Sequence, residues 1–339
     1  MIIAVTGAFG FIGSNIIKAL NEYGYTDIIA VDNLTNGAKS KNLRDCDILD
    51  YIDKEDFIQA IANGDYDNQI DYISHQGACS ATTEQNGRYM LKNNYEYSNV
   101  LLEYAQRLEV PFVYASSAAT YGDKTEFIEE RQYENPLNIY GYSKFLFDQV
   151  VRRYFKNGLA SPVVGLRYFN VYGQNEWHKE RMASVAYHHF NQYQQTGTVK
   201  LFEGCQGYAS GEQVRDFISV HDVVKLNMFF LLNHLNDTEE ISGIFNCGTG
   251  IARSFNDLAL ATVNACRADE GKSILTLNEM IKQGILEYIP FPSDLANRYQ
   301  CYTQANLTNL REAGFKEEFL SLEAGVSQYV SHLLKSSKV

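Results

Sequence analysis

Three pieces of this sequence carry residue types that can do chemistry. Tyr140 and Lys144 stand four positions apart in Tyr140-Gly141-Tyr142-Ser143-Lys144, a spacing that stacks both side chains on one helical face. A phenol ionises near pH 10, so acting as a base at neutral pH requires its pKa to fall by about 3, worth about 4 kcal/mol. A lysine ammonium ~4 Å away at an effective dielectric of ~20 supplies about that much. Ser116 and Ser117 close the run Tyr114-Ala115-Ser116-Ser117, and a serine hydroxyl there can hydrogen-bond a reacting alkoxide or carbonyl. The third piece is Gly7-x-x-Gly10-x-x-Gly13. Glycines so placed permit a tight turn, close approach of a pyrophosphate and close packing of the following helix, whose N-terminus presents free N–H groups. Asp32 follows 19 residues beyond Gly13, where a ribose-contacting acid belongs. The three pieces point to hydride chemistry on a bound dinucleotide. Asp32 favours a free ribose 2′-hydroxyl, whereas Lys39 and Lys54 can neutralise a 2′-phosphate, so the residues themselves leave NAD and NADP open.

Elements must hold these groups together. Short β-branched runs at Ile2–Val5, Ile28–Val31, Ile70–Ser74, Phe112–Ala115 and Val163–Tyr168 read as strands. Amphipathic stretches at Phe11–Tyr23, Tyr95–Leu108 and Tyr140–Phe155 read as helices. This alternation predicts an α/β fold, a doubly wound parallel sheet covered by helices on both faces. It places the glycine turn after the first strand, the serines at a strand end and the Tyr–Lys pair at a helix start. After about residue 170 the rhythm becomes loop-rich. The expected division is a dinucleotide-binding domain over 1–170, with elements around 215–250 returning to it. A smaller, mixed α/β and discontinuous substrate lobe is expected over 171–339.

Composition narrows the field. The 339 residues suggest about two domains at roughly 150 residues each, and a 45% hydrophobic content excludes a disordered chain. The formal charge is 29 − 41 = −12, which argues against nucleic-acid or anionic-membrane partners. The six cysteines form no C-x-x-C pair and read as reduced thiols, with Cys79 and Cys247 as small buried fillers. The N-terminus has no basic residue before Lys18, unlike a signal peptide. The longest apolar run, Met228–Leu232, is far short of the ~20 residues a membrane span needs, so a cytoplasmic protein is expected. His178, His188 and His189 lack metal-site spacing. Ser219-Val220-His221-Asp222 reads as a helix capping box.

Taken with the glycine turn and Tyr-x-x-x-Lys, the string Ser117-Ala118-Ala119-Thr120-Tyr121-Gly122 resembles the short-chain dehydrogenase/reductase superfamily, in its extended, nucleotide-sugar-modifying branch. By that pattern Ser117 is the catalytic serine and Ser116 its packing neighbour. Dehydratases of this branch carry an Asp-Glu pair after the serine. Ala118-Ala119 moves no protons, which leaves epimerisation or simple oxidation. Further strings tighten the likeness: VDNL (Val31–Leu34), GACS (Gly77–Ser80), PLNIYGYSKFLFDQ (Pro136–Gln149), RYFNVYG (Arg167–Gly173), MASVAYH (Met182–His188), LFEG (Leu201–Gly204), FNCGTG (Phe245–Gly250) and FPSDLANRYQCYTQANLTNLR (Phe291–Arg311). Together they are similar to the ADP-glycero-manno-heptose 6-epimerase family.

That resemblance implies a Rossmann sheet and a tightly held NADP, with NAD the second choice. The reaction implied is transient oxidation of the heptose C6 hydroxyl to a ketone, followed by return of the same hydride to the opposite face. The product would be a lipopolysaccharide-core precursor. Tyr140 and Lys179 would be opposed acid–base groups, with Lys179 acting through a pKa depressed by burial; Ser117 and Lys144 would complete the catalytic set. Besides Gly7, Gly10 and Gly13, the cofactor would meet Phe11 and Ile12 at its pyrophosphate and Asp32 and Asn33 at the adenosine ribose. Lys39 and Lys54 would meet the 2′-phosphate and Lys144 the nicotinamide ribose. Gln76, Gly77, Ala78, Cys79, Ser80, Asn93 and Val171 would lie along it. Substrate contacts would come from Ser117, Asn170, Arg181, His188, Phe202, Glu203, Gly204, Cys205, Arg215 and Tyr299, with Arg215 facing a diphosphate. The sequence departs from the family pattern at Gln76, commonly Glu, at Arg181 and Cys205, frequently Ser, and in a longer Gly207–Gln213 loop. The family further implies an ADP-sugar substrate and a ring-like homo-oligomer, commonly a homopentamer. The alternatives are another nucleotide-sugar epimerase or dehydrogenase, such as one acting at C4 of a UDP-sugar, and a non-catalytic dinucleotide sensor.

Overall fold

The structure is a computed structural model that describes residues 1–235, 240–292 and 300–336. The chain runs β1 (Ile3–Thr6), α1 (Phe11–Glu22), β2 (Ile28–Asp32), β3 (Asp50–Asp53), α2 (Lys54–Asn63), β4 (Tyr72–His75), α3 (Gly87–Leu91), α4 (Tyr97–Arg107), β5 (Phe112–Ser117), α5 (Ile139–Asn157), β6 (Val163–Tyr168) and β7 (Asn170–Tyr172). It continues α6 (Val185–Thr196), β8 (Val199–Phe202), β9 (Val214–Ser219), α7 (Val220–Leu235), β10 (Gly243–Cys247), β11 (Ala252–Ser254), α8 (Phe255–Asp269), α9 (Leu277–Lys282), β12 (Leu286–Ile289), α10 (Thr308–Glu312) and α11 (Leu322–Ser336).

Among the described residues the central sheet holds seven strands in the order β10-β6-β5-β4-β1-β2-β3, every pairing parallel. Alternation along each strand assigns its two faces. Ile3 and Val5 of β1 and Ile28 and Ala30 of β2 pack with Ile16, Ile17 and Leu20 of α1 and Val223, Leu226 and Phe230 of α7. Ala4, Ile29 and Val31 point the other way, against Phe57 and Ile61 of α2, Leu101 and Leu102 of α4 and Phe147 of α5. Helices therefore cover both faces, the doubly wound arrangement. Because β1 lies between β2 and β4, strand order reverses there, and a crevice opens at the carboxyl ends of these strands. A second core joins Phe190 of α6, Leu258 and Val263 of α8 and Val326 and Tyr329 of α11. Two small sheets accompany it, β11-β9-β7 and β12-β8.

The fold departs from the sequence reading in local ways. β3 carries no apolar alternation to announce it: Asp50 and Tyr51 are exposed and Ile52 and Asp53 half-buried at the sheet edge. α2 buries Phe57 and Ile61 four residues apart, a helical spacing that the sequence reading passes over. The helix expected from Tyr95 begins instead at Gly87 and passes through a π-helical turn, Lys92–Glu96. The predicted capping box forms by half. Ser219 Oγ accepts from His221 N at 3.3 Å, but the Asp222 carboxylate turns to Leu320 N (2.9 Å) and Lys225 Nζ (3.0 Å). Cys247 is buried, whereas Cys79 is only partly so and lines the crevice.

His75 locks the strand end beneath this crevice. The Ser98 hydroxyl donates to Asn94 O (2.8 Å), so His75 Nε2 must donate to Ser98 Oγ (2.8 Å), and Nδ1 accepts from the Thr6 hydroxyl (2.6 Å). Burial, with the nearby Lys144 charge, pushes its pKa down to about 3. The unfolded chain, titrating near 6.5, takes up this proton first as pH falls. The stability contributed by neutral His75 is therefore full at pH 7 and lost as pH drops from about 6.5 toward 3, by about 2 kcal/mol at pH ~5. His75→Gln is expected to flatten the slope of Tm against pH over this range, and an unchanged slope would refute the assignment.

Candidate active site

The glycine turn is built without room for side chains. Gly7 has φ +65°, and a Cβ on it would lie 2.8 Å from Gly77 Cα. A Cβ on Gly13 would lie 2.2 Å from the Gly7 carbonyl oxygen. Gly10 caps α1 with no side-chain hydrogen bond, which leaves the first N–H groups of the helix for a ligand. Asp32 ends β2 with its carboxylate already engaged: Oδ2 accepts from Phe9 N (2.8 Å), and Oδ1 from Asn33 N (2.6 Å) and Lys39 Nζ (2.6 Å). Lys54 Nζ reaches Asn93 Oδ1 at 2.5 Å. A cradle that excludes Cβ atoms, beside a helix start with free donors, fits the pyrophosphate of a dinucleotide.

The Tyr–Lys helix starts where the sequence places it, because the Asn138 side chain accepts from Gly141 N (2.8 Å) and caps α5. Ser117 Oγ accepts from Ala119 N (3.1 Å) and its hydroxyl bonds Tyr140. Burial pushes the Tyr140 phenol up, Ser117 draws it partly back, and Cys79 adds to the rise. At this phenol burial outweighs the lowering expected from a nearby lysine ammonium. Lys144 is 4% exposed, donates to Ala115 O at 2.7 Å, and is itself pushed by burial to about 8, with Asp148 working the other way. Its ammonium is turned onto the strand carbonyl.

Beneath these groups lies an ionic cluster with no accessible charge. Arg167 on β6, itself 0% exposed, donates through Nε (3.0 Å) and Nη2 (2.8 Å) to Asp148 Oδ2, through Nη2 to Glu134, and stacks over Tyr121 at 4.8 Å. Asp148, one turn beyond Lys144 on α5, also accepts from Tyr114 Oη (2.9 Å) and Ser116 Oγ (3.1 Å). Ser116 is thus committed to the interior, while Ser117 faces Tyr140.

One cleft of about 870 Å³ runs from Asp32 to Arg215. It is lined by Gly7, Gly10, Phe11, Ile12, Gly13, Asp32, Asn33, Lys39, Lys54, Gln76 to Ser80, Asn93, Ser117, Tyr140, Lys144, Asn170, Val171, Lys179 and Arg215. Among the described residues that line it, five are cations (Lys39, Lys54, Lys144, Lys179, Arg215) and one, Asp32, is a carboxylate, in a chain of net charge −12. That local field suits phosphates. The Lys179 ammonium lies 5.3 Å over the Phe11 ring, and burial lowers its pKa, with Glu176 opposing. Arg215 is 6% exposed, and its guanidinium sits 5.6 Å over Phe255.

Other sequence candidates stand outside this cleft. Arg181 is exposed and His188 half-buried on α6, and neither is among its lining residues. Phe202, Glu203, Gly204 and Cys205 lie on and after β8, with Cys205 Sγ 3.5 Å from Cys301 Sγ. Tyr299 lies outside the described residues. Gln76 bonds Tyr168 Oη (2.8 Å) and Asn227 Oδ1 (3.2 Å).

Sequence reasoning missed several groups. Asn94, in the π-helical turn, accepts from Cys79 N (2.7 Å) and donates to Ser143 Oγ (3.1 Å), tying the 76–80 loop to α5. Asp216, buried beside Arg215, gathers Thr249 N, Gly250 N and Ala305 N at 2.7–3.0 Å. No local pattern announces either; the Asn-Asn pair at 93–94 was the nearest signal.

A glycine cradle at the switch point, with a Tyr–Lys helix and a serine-ended strand beside it, defines a nicotinamide-dependent enzyme of the short-chain dehydrogenase/reductase class. The NAD dependent epimerase/dehydratase family matches residues 3–248, and the chain belongs to that family. A curated relative, the ADP-L-glycero-D-manno-heptose-6-epimerase of Thiobacillus denitrificans, is 57% identical over 332 residues, 98% of each chain. The crystal structure of the Helicobacter pylori ADP-L-glycero-D-manno-heptose-6-epimerase is similar at 28% identity and a TM-score of 0.79, covering 98% of this chain and 96% of that one. The Thermotoga maritima UDP-glucose 4-epimerase structure, with UDP-glucose, is similar at 26% identity and TM-score 0.75, covering 99% and 100%.

Two substitutions test the site's framework. Asp148→Ala leaves the buried Arg167 only Glu134, which Arg152 shares, and is expected to cost about 3–5 kcal/mol in denaturant unfolding. Gly13→Ala forces a Cβ onto the Gly7 carbonyl, and is expected to cost about 1–3 kcal/mol and to reduce the dinucleotide content of the purified protein.

Proposed function

We propose that this protein interconverts ADP-D-glycero-D-manno-heptose and ADP-L-glycero-D-manno-heptose at C6 with a tightly held NADP, making a precursor for lipopolysaccharide cores. The observation that carries the reading is one cleft lined by two proton-transfer groups from different elements, Tyr140 on α5 and Lys179 after β7, in a chain 57% identical to an ADP-heptose epimerase. Inverting a carbon through a ketone requires proton transfer at its oxygen for either epimer, which two groups supply. When bound, the nicotinamide supplies the acceptor, then the donor, of the hydride that leaves and re-enters C6. Tyr140, bonded to Ser117, would take the hydroxyl proton of one epimer and protonated Lys179 would supply the proton that completes the other. In the reverse direction the roles exchange, and proton exchange with solvent resets the pair. Lys144, titrating at about 8, keeps its proton at neutral pH and holds positive charge one helical turn from the phenol. Burial lowers the Lys179 pKa, so its amine reaches the neutral, proton-accepting form at lower pH than an exposed lysine. With Ala118 and Ala119 in the next two positions, no acid–base pair is present there to drive loss of water.

NADP is the better fit because Lys39 already neutralises Asp32 at 2.6 Å and Lys54 lines the same end of the cleft, so a 2′-phosphate meets net positive charge. Arg215 and Asn170 line the cleft for the ADP-sugar. Arg181, His188, the 202–205 stretch and Tyr299 would have to approach from its rim. A homopentamer acting in the cytoplasm follows from the family resemblance. No helix among the described residues is long and apolar enough to cross a membrane.

Purified protein with no added cofactor is expected to interconvert the two heptose epimers, to leave UDP-glucose unchanged, and to incorporate no solvent deuterium at C6. Deuterium at C6 would sink direct hydride return. Tyr140→Phe is expected to lower kcat by about 10²–10⁴ for at least one direction. Denaturation should release NADP, measurable by mass and absorbance. Lys39→Ala with Lys54→Ala should shift the retained dinucleotide toward NAD.

A further inference from the structure

The segment that carries Lys179 is held under strain. Within the short turn Trp177–Met182, Glu180 adopts φ 49° and ψ −119°, a backbone region that side chains disfavour and that persists only where surrounding contacts enforce it. Lys179 N bonds Glu176 O (2.9 Å) and Ala183 N bonds Glu180 O (3.1 Å), but these local bonds do not fix where the turn sits relative to the cleft.

The Glu176 side chain does. It is 1% exposed and is not among the residues lining the cleft. Oε1 accepts from Gly173 N (3.2 Å) and the Ser184 hydroxyl (2.7 Å), and Oε2 accepts from Ser184 N (2.5 Å). The Tyr329 phenol on α11 hydrogen-bonds it as well. One carboxylate thus joins the start of the segment, its end and the C-terminal helix, and every partner is a donor. Ser184 is also the cap of α6, accepting from Tyr187 N at 3.2 Å, so the turn is tied to a rigid helix. Three residues beyond Glu176, the Lys179 ammonium reaches the cleft over Phe11.

We propose that Glu176 is the positioning residue for Lys179: its buried carboxylate, bound by Gly173, Ser184 and Tyr329, holds the 173–184 segment so that the Lys179 amine stays inside the cleft. This rests on the reading of Lys179 as a proton-transfer group. Glu176 itself does not line the cleft. Only a carboxylate satisfies all of these donors, because an amide would aim an N–H at one of them.

The test uses the intact holoenzyme and Glu176→Gln, with Tyr329→Phe as a milder variant that removes one donor and keeps the carboxylate. The first readout is independent of turnover and of the lysine's protonation: the limiting rate of Lys179 acetylation by acetic anhydride, reached at pH above its titration, followed by peptide mass and normalised to the other lysines. Glu176→Gln is expected to raise it by about fivefold or more as the segment opens, and Tyr329→Phe to raise it less. An unchanged rate in both variants overturns the proposal. The second readout is a kinetic cycle with Lys179→Met. Glu176→Gln is expected to lower kcat by about tenfold or more with KM changed less than about twofold, and to add nothing once Lys179 is Met. Losses that multiply in the double variant also overturn it, since Glu176 would then act elsewhere. If Lys179→Met is fully active, the two-group reading of the epimerase falls, and the acetylation rates still decide whether Glu176 holds the lysine.

Discussion

The reactive end of the molecule depends on a charge that never meets water. Arg167 is the largest fully buried side chain among the described residues, and a lone guanidinium in that position would be prohibitively costly. Asp148 and Glu134 offset the cost, and each is committed by further bonds: Asp148 by Tyr114 and Ser116, Glu134 by Arg152. These contacts join β5, β6 and α5 in one inflexible unit. Because Asp148 lies one turn from Lys144 and two from Tyr140, the register of α5 against the Ser117 strand end cannot slip without exposing or unpairing an ion. A buried ion pair adds little net stability over an apolar one; its contribution here is to permit only one alignment of phenol, hydroxyl and ammonium.

The opposite end of the cleft is organised by steric exclusion. Gly7 and Gly13 pack where no Cβ fits, so β1, the start of α1 and the Gly77 loop approach closely enough to present backbone donors. Asp32 then closes the turn through Phe9 N. The same carboxylate that would repel a phosphate is masked by Lys39, and the cleft as a whole is cationic although the chain is acidic. Charge has been segregated: the carboxylates that outnumber the cations lie elsewhere, and phosphate-bearing ligands meet the minority sign.

Acid–base tuning in this site is a contest between burial and contact. Desolvation raises Tyr140 and lowers Lys144 and Lys179, moving phenol and amines in opposite senses. Two amines are thereby brought nearer to neutral pH, while the phenol is left needing positive charge close by. The protein holds the Lys144 ammonium one helical turn away on the Ala115 carbonyl, and a cationic nicotinamide would bring positive charge to the phenol itself. The Tyr-x-x-x-Lys motif is thus one half of an electrostatic arrangement whose other half is the ligand.

Much of the architecture was legible in the sequence because it depends on residues within a turn or two of one another. The strand runs, the glycine turn, the Asn138-capped Tyr–Lys helix and the serine-ended β5 are dictated by local sterics and by periods of two and 3.6. β3 escaped because an edge strand with exposed Asp50 and Tyr51 shows no apolar alternation, and the π-helical turn escaped because its register follows from Asn94 reaching Cys79 and Ser143. α2, with Phe57 and Ile61 one turn apart, was legible, although the sequence reading omits it. What only the tertiary structure decided is the state of the charges. Whether Lys144 faces a phenol or a carbonyl, whether Asp32 is masked, and whether Glu176 holds the Lys179 turn all depend on groups far apart in the chain and on how much water folding removes from between them. Desolvation has no period and no spacing, so no pattern in the sequence encodes it.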